Sequence, residues 1–169
     1  MSHLCNESWR MPEELQLTIE PLIKKNKFPL ISITVNNKRD ELYLKEKLVF
    51  NVTLDLPRTN YISIAFLNKD PSDTVVKDGG IVEDLAVMLQ SISYKSFNFH
   101  PYLAYVSEYR KDCGDIVEGT NGFMGFNGTL ELKLKTPLFI TARELGMMSN
   151  KNFKGVGAKI DDSVLQYAL

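Results

Sequence analysis

This sequence predicts a mainly β chain, an antiparallel sandwich or barrel with one short helix, and three observations carry that prediction. Apolar and polar residues alternate with period two along several short segments. Those segments recur about every ten residues, with turn-forming residues between them. No stretch shows the strand-helix-strand rhythm of a parallel sheet. A length of 169 residues is enough to bury one core and nothing looks like a linker. The chain therefore divides into an N-terminal arm over residues 1–28 and a single sandwich domain over residues 29–169.

In the arm, MPEELQLTIEPLIKKNKF fits two templates. Leu15, Ile19, Leu22 and Ile23 suit a helix, Leu15, Leu17 and Ile19 suit a strand, and Pro21 argues against a continuous helix. The arm is thus an added strand or a short helix, and IKKNK within it reads as a solvated basic turn. LISITVN follows, with Ile31, Ile33 and Val35 on one face and Ser32 and Thr34 on the other. KLVFNVTLDL sets Leu48, Phe50, Val52 and Leu54 against Asn51, Thr53 and Asp55. The turn formers NNKRD and LPRTN separate these segments from ELYLKEK and YISIAFL. YISIAFL is apolar on both faces, which predicts a central strand buried on two sides and ended by NKDPSD.

The pattern then changes. IVEDLAVMLQSI carries Ile81, Leu85, Met88, Leu89 and Ile92 at helical spacing, after a turn in which Asp78 can cap. It predicts a short helix over about Ile81 to Gln90, with a strand beginning at Gly80 as the competing reading. YKSFNFHPYLAYVSEY is dense in aromatics at near-alternating positions and is interrupted by Pro101. That reads as a bent or edge strand pair packing its rings, rather than as a stacking platform for bases, because no basic residues are interleaved. TLELKLK alternates again, and Thr136-Pro137 separates it from a second late strand, LFITA. DDSVLQYAL fits a last strand or a helical turn.

GTNGFMGFNGT, at 119 to 129, holds a glycine at every third position. It lacks Gly-Lys-Ser/Thr and G-x-G-x-x-G, so no phosphate-binding mechanism attaches to it. Standing directly before TLELKLK, it reads as a hairpin or end-of-sandwich loop, with Asn121-Gly122 and Asn127-Gly128 as turn pairs. Phe123, Met124 and Phe126 are the candidate partner-binding residues, exposed as an apolar patch for a protein. The alternative, which the sequence favours, is that these side chains fold back and plug one end of the sandwich.

Little catalytic furniture is present. His3 and His100 are the two histidines, and His100 reads as a packed or hydrogen-bonded residue; its pairing with Cys113 as base and nucleophile has no supporting motif. There is no HExxH, and Met1-Ser2-His3 is not taken as a metal clip. No cofactor or metal is predicted. The acidic pairs Glu13-Glu14, Glu83-Asp84 and Asp161-Asp162 read as solvated surface, because nothing fixes the separation that glycoside hydrolysis needs. Cys5 and Cys113 are the candidate disulfide, or else two independent thiols. Sequons occur at Asn6, Asn51 and Asn127. A net charge of −1 with scattered lysines argues against nucleic acid. No apolar run reaches a spanning length, and MSHLCNESWRMPEE lacks the layout of an export signal, leaving cytoplasmic and extracytoplasmic homes both open.

The run ELYLKEKLVFNVTLDLPRTNYISIAFLNKD, through Tyr43, Glu46, Leu48, Phe50, Val52, Tyr61, Ile62, Ile64 and Asn68, resembles the opening half of a bacterial envelope immunoglobulin-like domain of unknown function. LFITA at 138 to 142 stands where that family has its closing strand. The resemblance implies an immunoglobulin-like antiparallel β-sandwich and an extracytoplasmic, non-enzymatic role with a protein partner. The functional expectation is therefore an interaction or structural module of a bacterial cell envelope or secretion assembly. Two rivals stand beside it: a small hydrolase-type enzyme using scattered carboxylates and His100, and a self-assembling appendage or particle subunit.

Overall fold

The structure is a computed structural model that describes residues 12–152. In chain order its strands begin with β1 (Glu13–Leu22), β2 (Leu30–Val35), β3 (Lys38–Tyr43), β4 (Leu48–Leu54) and β5 (Thr59–Phe66). A small hairpin, β6 (Val75–Lys77) and β7 (Gly80–Glu83), precedes β8 (Ala86–Tyr94) and β9 (Phe97–Asn98). After α1 (Leu103–Val106) come β10 (Ser107–Lys111), β11 (Ile116–Val117), β12 (Phe123–Met124) and β13 (Gly128–Lys135), then α2 (Leu138–Asn152). One sheet runs β12-β8-β1-β4, with β9 also on β8, and the other runs β11-β10-β13-β5-β2-β3. All the ladders are antiparallel.

Alternation decides which faces meet. Leu15, Leu17 and Ile19 of β1 and Leu130, Leu132 and Leu134 of β13 are all at most 1% exposed, and they join Ile31, Ile33, Ile62, Ile64 and Phe66 in one apolar cluster to which both sheets contribute. Burying each such side chain is worth about 1.5–3 kcal/mol. Asn60 is a fully buried polar residue beside them. Its side chain accepts the Asp55 backbone N–H at 3.0 Å and donates to the Asp55 carbonyl at 3.1 Å, so it locks the β4–β5 turn without leaving a polar group unpaired.

The N-terminal segment resolves as strand. β1 lies between β4 and β8, which places Pro21 near the strand's end opposite Val87. YISIAFL does form an interior strand, β5, but the prediction of burial on both faces is wrong: Tyr61 is exposed, and Ser63 and Ala65 are half-buried.

The helix expected over Ile81 to Gln90 is absent, replaced by β7 and the first half of β8. Its helical spacing is produced by a β-bulge. Thr18 of β1 faces Ser91, whereas Ile19 faces Leu89, so Gln90 is extra and Leu89 and Ile92 both turn inward three residues apart. Asp78 does not cap a helix; it sits at φ 53° beside Gly79 at φ 80°, a tight turn joining β6 to β7.

LFITA is likewise not a strand. Leu138, Ala142 and Leu145 are buried at helical spacing and open α2 against the core. The Leu138 N–H would be an orphan at this helix start; it donates instead to Glu13 Oε2 at 2.7 Å. The other oxygen of that carboxylate accepts the Tyr94 hydroxyl at 2.9 Å. Burial first, then the Glu13 charge and hydrogen bond, push the Tyr94 phenol up to about 12. With α1 as well, the described residues hold two helices where the sequence predicts one. The aromatic stretch is mixed: Tyr94 pairs with Phe97 across the β8–β9 turn, and a 3₁₀ turn at His100–Tyr102 then leads into α1.

Candidate functional site

The glycine-rich loop is built from both ends. Gly122 lies at φ 87°, and a Cβ on it would stand 2.5 Å from the Leu89 carbonyl oxygen, so no other residue fits without displacing backbone. That close approach lets the Gly122 carbonyl accept the Leu89 N–H at 2.9 Å, after which Phe123 and Met124 pair with Met88 and Val87 as β12. At the far end a Cβ on Gly128 would meet the Arg110 carbonyl oxygen at 2.4 Å, where β13 begins its antiparallel pairing with β10. Asn121-Gly122 is a turn, as expected, whereas Asn127-Gly128 is not. Asn127 uses its side chain, accepting the Lys69 N–H at 2.7 Å and donating to the Lys69 carbonyl at 2.8 Å.

These constraints sort the three candidate contact residues. Met124 is completely buried in the shared core, so it plugs the fold and is no part of an exposed patch. Phe123 lies on the opposite face of β12 from Met124, and Phe126 lies beyond the end of that strand. Phe123 is 38% exposed and Phe126 is 53% exposed. The backbone at Phe126 is gripped by the hydroxyl of Tyr109, which receives the Phe126 N–H at 3.2 Å and donates to the Phe126 carbonyl. Burial pushes the Tyr109 phenol up, outweighing the Phe126 backbone hydrogen bond that lowers it, and Asp112 adds a smaller upward push. Lys111 Nζ stands 4.4 Å from the centre of the Phe126 ring, and Lys69 Nζ stands 6.0 Å from it.

Lys69 joins this ring to the β6–β7 hairpin. Its ammonium pairs with Asp84, and both side chains are under 10% exposed. The same Asp84 oxygen accepts the Thr74 hydroxyl at 2.7 Å, so the pair spans the two ends of the hairpin. A second clamp lies just before β6. Lys27 of the IKKNK turn reaches Asp70 at 2.7 Å and Asp73 as well, so this basic turn is partly used in ion pairs rather than wholly solvated. Burial pushes the Asp73 carboxyl up, but the Asp70 backbone N–H and Lys27 outweigh it and hold the group below its usual range. Hydrogen bonds to Asp70 and Asp73 hold the Lys27 ammonium above its ordinary value. Above these clamps the hairpin exposes Val76 at 61%, Ile81 at 65% and Val82 at 56%.

The remaining candidates are not assembled into a catalytic group. Cys113 is exposed on the β10–β11 turn and faces Asp115 at 3.5 Å; Cys5, and with it the expected disulfide, lies outside the described residues. His100 sits in the 3₁₀ turn before α1, with Nε2 buried and no partner among the described residues, and no contact joins it to Cys113. Of the acidic pairs, Asp84 is engaged by Lys69 and Glu13 by Tyr94 and Leu138, and Asp161-Asp162, like Met1-Ser2-His3, lies outside the described residues. The sequon residue Asn127 commits its amide to Lys69. Among the described residues no three His, Cys, Asp or Glu side chains gather to hold a metal, and no helix is long and apolar enough to cross a membrane. A cavity of about 410 Å³ between α1 and β11 is lined in part by Leu103, Ser107, Tyr109, Thr120 and Asn121, so the start of the glycine-rich loop forms one of its walls.

What sequence reasoning missed was the hairpin and the latch at Tyr109. The signal for the first was present in Lys77-Asp78-Gly79-Gly80, a turn signature flanked by Val75-Val76 and Ile81-Val82. No family model matches this chain, and no curated protein matches it. Among solved structures the chain is similar to a protein described as vCBM60 in complex with galactobiose, at 14% identity and a TM-score of 0.43, covering 72% of this chain and 99% of that one. A likeness this loose assigns neither a fold family nor a ligand.

Proposed function

We propose that the chain is a non-enzymatic binding module, an antiparallel sandwich of immunoglobulin-like type that engages a protein partner through Phe126 and the β6–β7 hairpin. Its proposed setting is a bacterial cell envelope or secretion assembly, outside the cytoplasm. One observation carries the reading: Phe126 is an aromatic ring left half in solvent while its backbone is fixed at both polar atoms by Tyr109. A large side chain presented in one place loses little entropy on binding, the property of residues that dominate protein interfaces. The hairpin adds exposed β-branched side chains on a base held by two ion-pair clusters, with Lys69 shared between the hairpin and the ring.

A photo-crosslinking amino acid placed at position 126, 81 or 133 in the producing cells tests this. Lys133 is exposed on the outer face of β13 and serves as the control. Discrete adducts are expected from positions 126 and 81, absent from 133, and lost from 126 when Ile81→Asp is added. No adduct at 126 and 81, or equal adducts at all three positions, overturns the proposal.

A further inference from the structure

We propose that the open edge of β4 pairs with β4 of a second copy of this chain, antiparallel about a two-fold axis at Asn51. Among the described residues β4 is bonded to β1 alone, so one side of a seven-residue strand carries unpaired N–H and C=O groups. One outer strand of the other sheet, β3, is dressed differently: Lys38, Arg39, Asp40 and Glu41 are all exposed, which keeps an edge from accepting another strand. From Leu48 to Leu54 β4 has no charge, and Val49 is 52% exposed.

The sequence of β4 is complementary to itself. For inward side chains to stay inward, an antiparallel partner must pair residues of the same parity, and the axis at Asn51 is the one that overlaps the whole strand. It sets Leu48 opposite Leu54 and Phe50 opposite Val52 on the core side, where Phe50 is still only half-buried. On the outer side it sets Val49 opposite Thr53 and, at both ends, Lys47 opposite Asp55. A slip of two residues in either direction shortens the overlap and removes that Lys47–Asp55 apposition. Both charged side chains are more than half exposed, and their present partners, Glu20 at 3.0 Å and Arg58 at 3.3 Å, are surface groups that can share them. Opposite charges at both ends, related by the axis, favour a second copy as the occupant.

The test is sedimentation of the full chain across a concentration series. A monomer–dimer equilibrium with a dissociation constant of about 10–100 µM is expected for one strand pair of this size. Lys47→Glu places like charges at both ends and should weaken association roughly tenfold, as should Asp55→Lys, while the double reversal restores it. Circular dichroism confirms that each variant stays folded. Hydrogen exchange gives a second readout: alternate amides of β4 should gain protection only where dimer is populated. A monomer at all concentrations, a dimer indifferent to both reversals, or β4 protection that does not vary with concentration overturns the proposal; the last would mean that another part of the chain covers the edge.

Discussion

Asn127 and Lys69 exchange two hydrogen bonds across 58 positions of sequence, the Asn127 amide accepting and donating to the backbone of Lys69 at 2.7 and 2.8 Å. The end of the glycine-rich loop is therefore fastened by one side chain to the segment that follows β5. Asn127→Ala leaves the Lys69 N–H and C=O without these partners and should cost about 1–3 kcal/mol in urea unfolding. Asn127→Asp keeps the acceptor but loses the donor, and should fall between.

The Lys69–Asp84 pair is nearly excluded from water, so its two ends are worth most together. Lys69→Ala leaves a buried carboxylate beside Thr74 and should destabilise by about 3–5 kcal/mol. Lys69→Met combined with Asp84→Leu should recover most of that loss. A double-mutant cycle from denaturant melts measures the coupling; additive single effects would mean that the pair is solvated.

Glycines in the same loop should differ sharply on substitution. At Gly122 a methyl meets the Leu89 carbonyl at 2.5 Å, and Gly122→Ala should cost more than about 2 kcal/mol through strain and overpacking. Gly119 also has a positive φ, 67°, but open space around it, so Gly119→Ala should cost only about 1 kcal/mol. Equal melting-temperature shifts for the two would contradict the packing described.

Stability should pass through a plateau whose limbs belong to identifiable groups. Asp73 is held below its ordinary 3.8 in the fold, so its contribution is present above pH 3.8 and is lost as pH falls through the lower, folded value. Lys27 is held above 10.5; its contribution is intact below that pH and is lost as pH rises through the folded value. Tyr94, at about 12 against an ordinary 10.0, adds a loss between those two values, because the unfolded chain releases its proton first. Urea unfolding as a function of pH should show Asp73→Asn flattening the acid limb and Tyr94→Phe flattening the alkaline one.

Period two made the sheets legible: Leu48 to Leu54 and Leu130 to Leu134 were readable because each turns one face to the core, and burial on one face is what alternation records, while Ile31 to Val35 alternates in residue type although Ser32 on its polar face is buried too. It failed at Gln90 because a bulge inserts one residue, and the resulting spacing of Leu89 and Ile92 imitates a helix turn. It failed at Leu138 because a five-residue window is too short to separate a strand from the first turn of α2, and the cap that starts that helix comes from Glu13, 125 residues away. The loop's three apolar residues were visible as candidates. That Met124 points inward while Phe126 stays out depends on the register of β12 against β8 and on the Tyr109 hydroxyl, neither of which is local.

Among the described residues β13 is the last strand of its sheet in sequence, yet it lies in the interior, between β10 and β5. On the ribosome, β5, whose inner face bears Ile62, Ile64 and Phe66, must wait with one hydrogen-bonding edge unpaired until residues 128–135 emerge. Throughout that interval the nascent polypeptide offers chaperones an apolar binding stretch, and a ribosome stalled before codon 128 would release a product prone to aggregate.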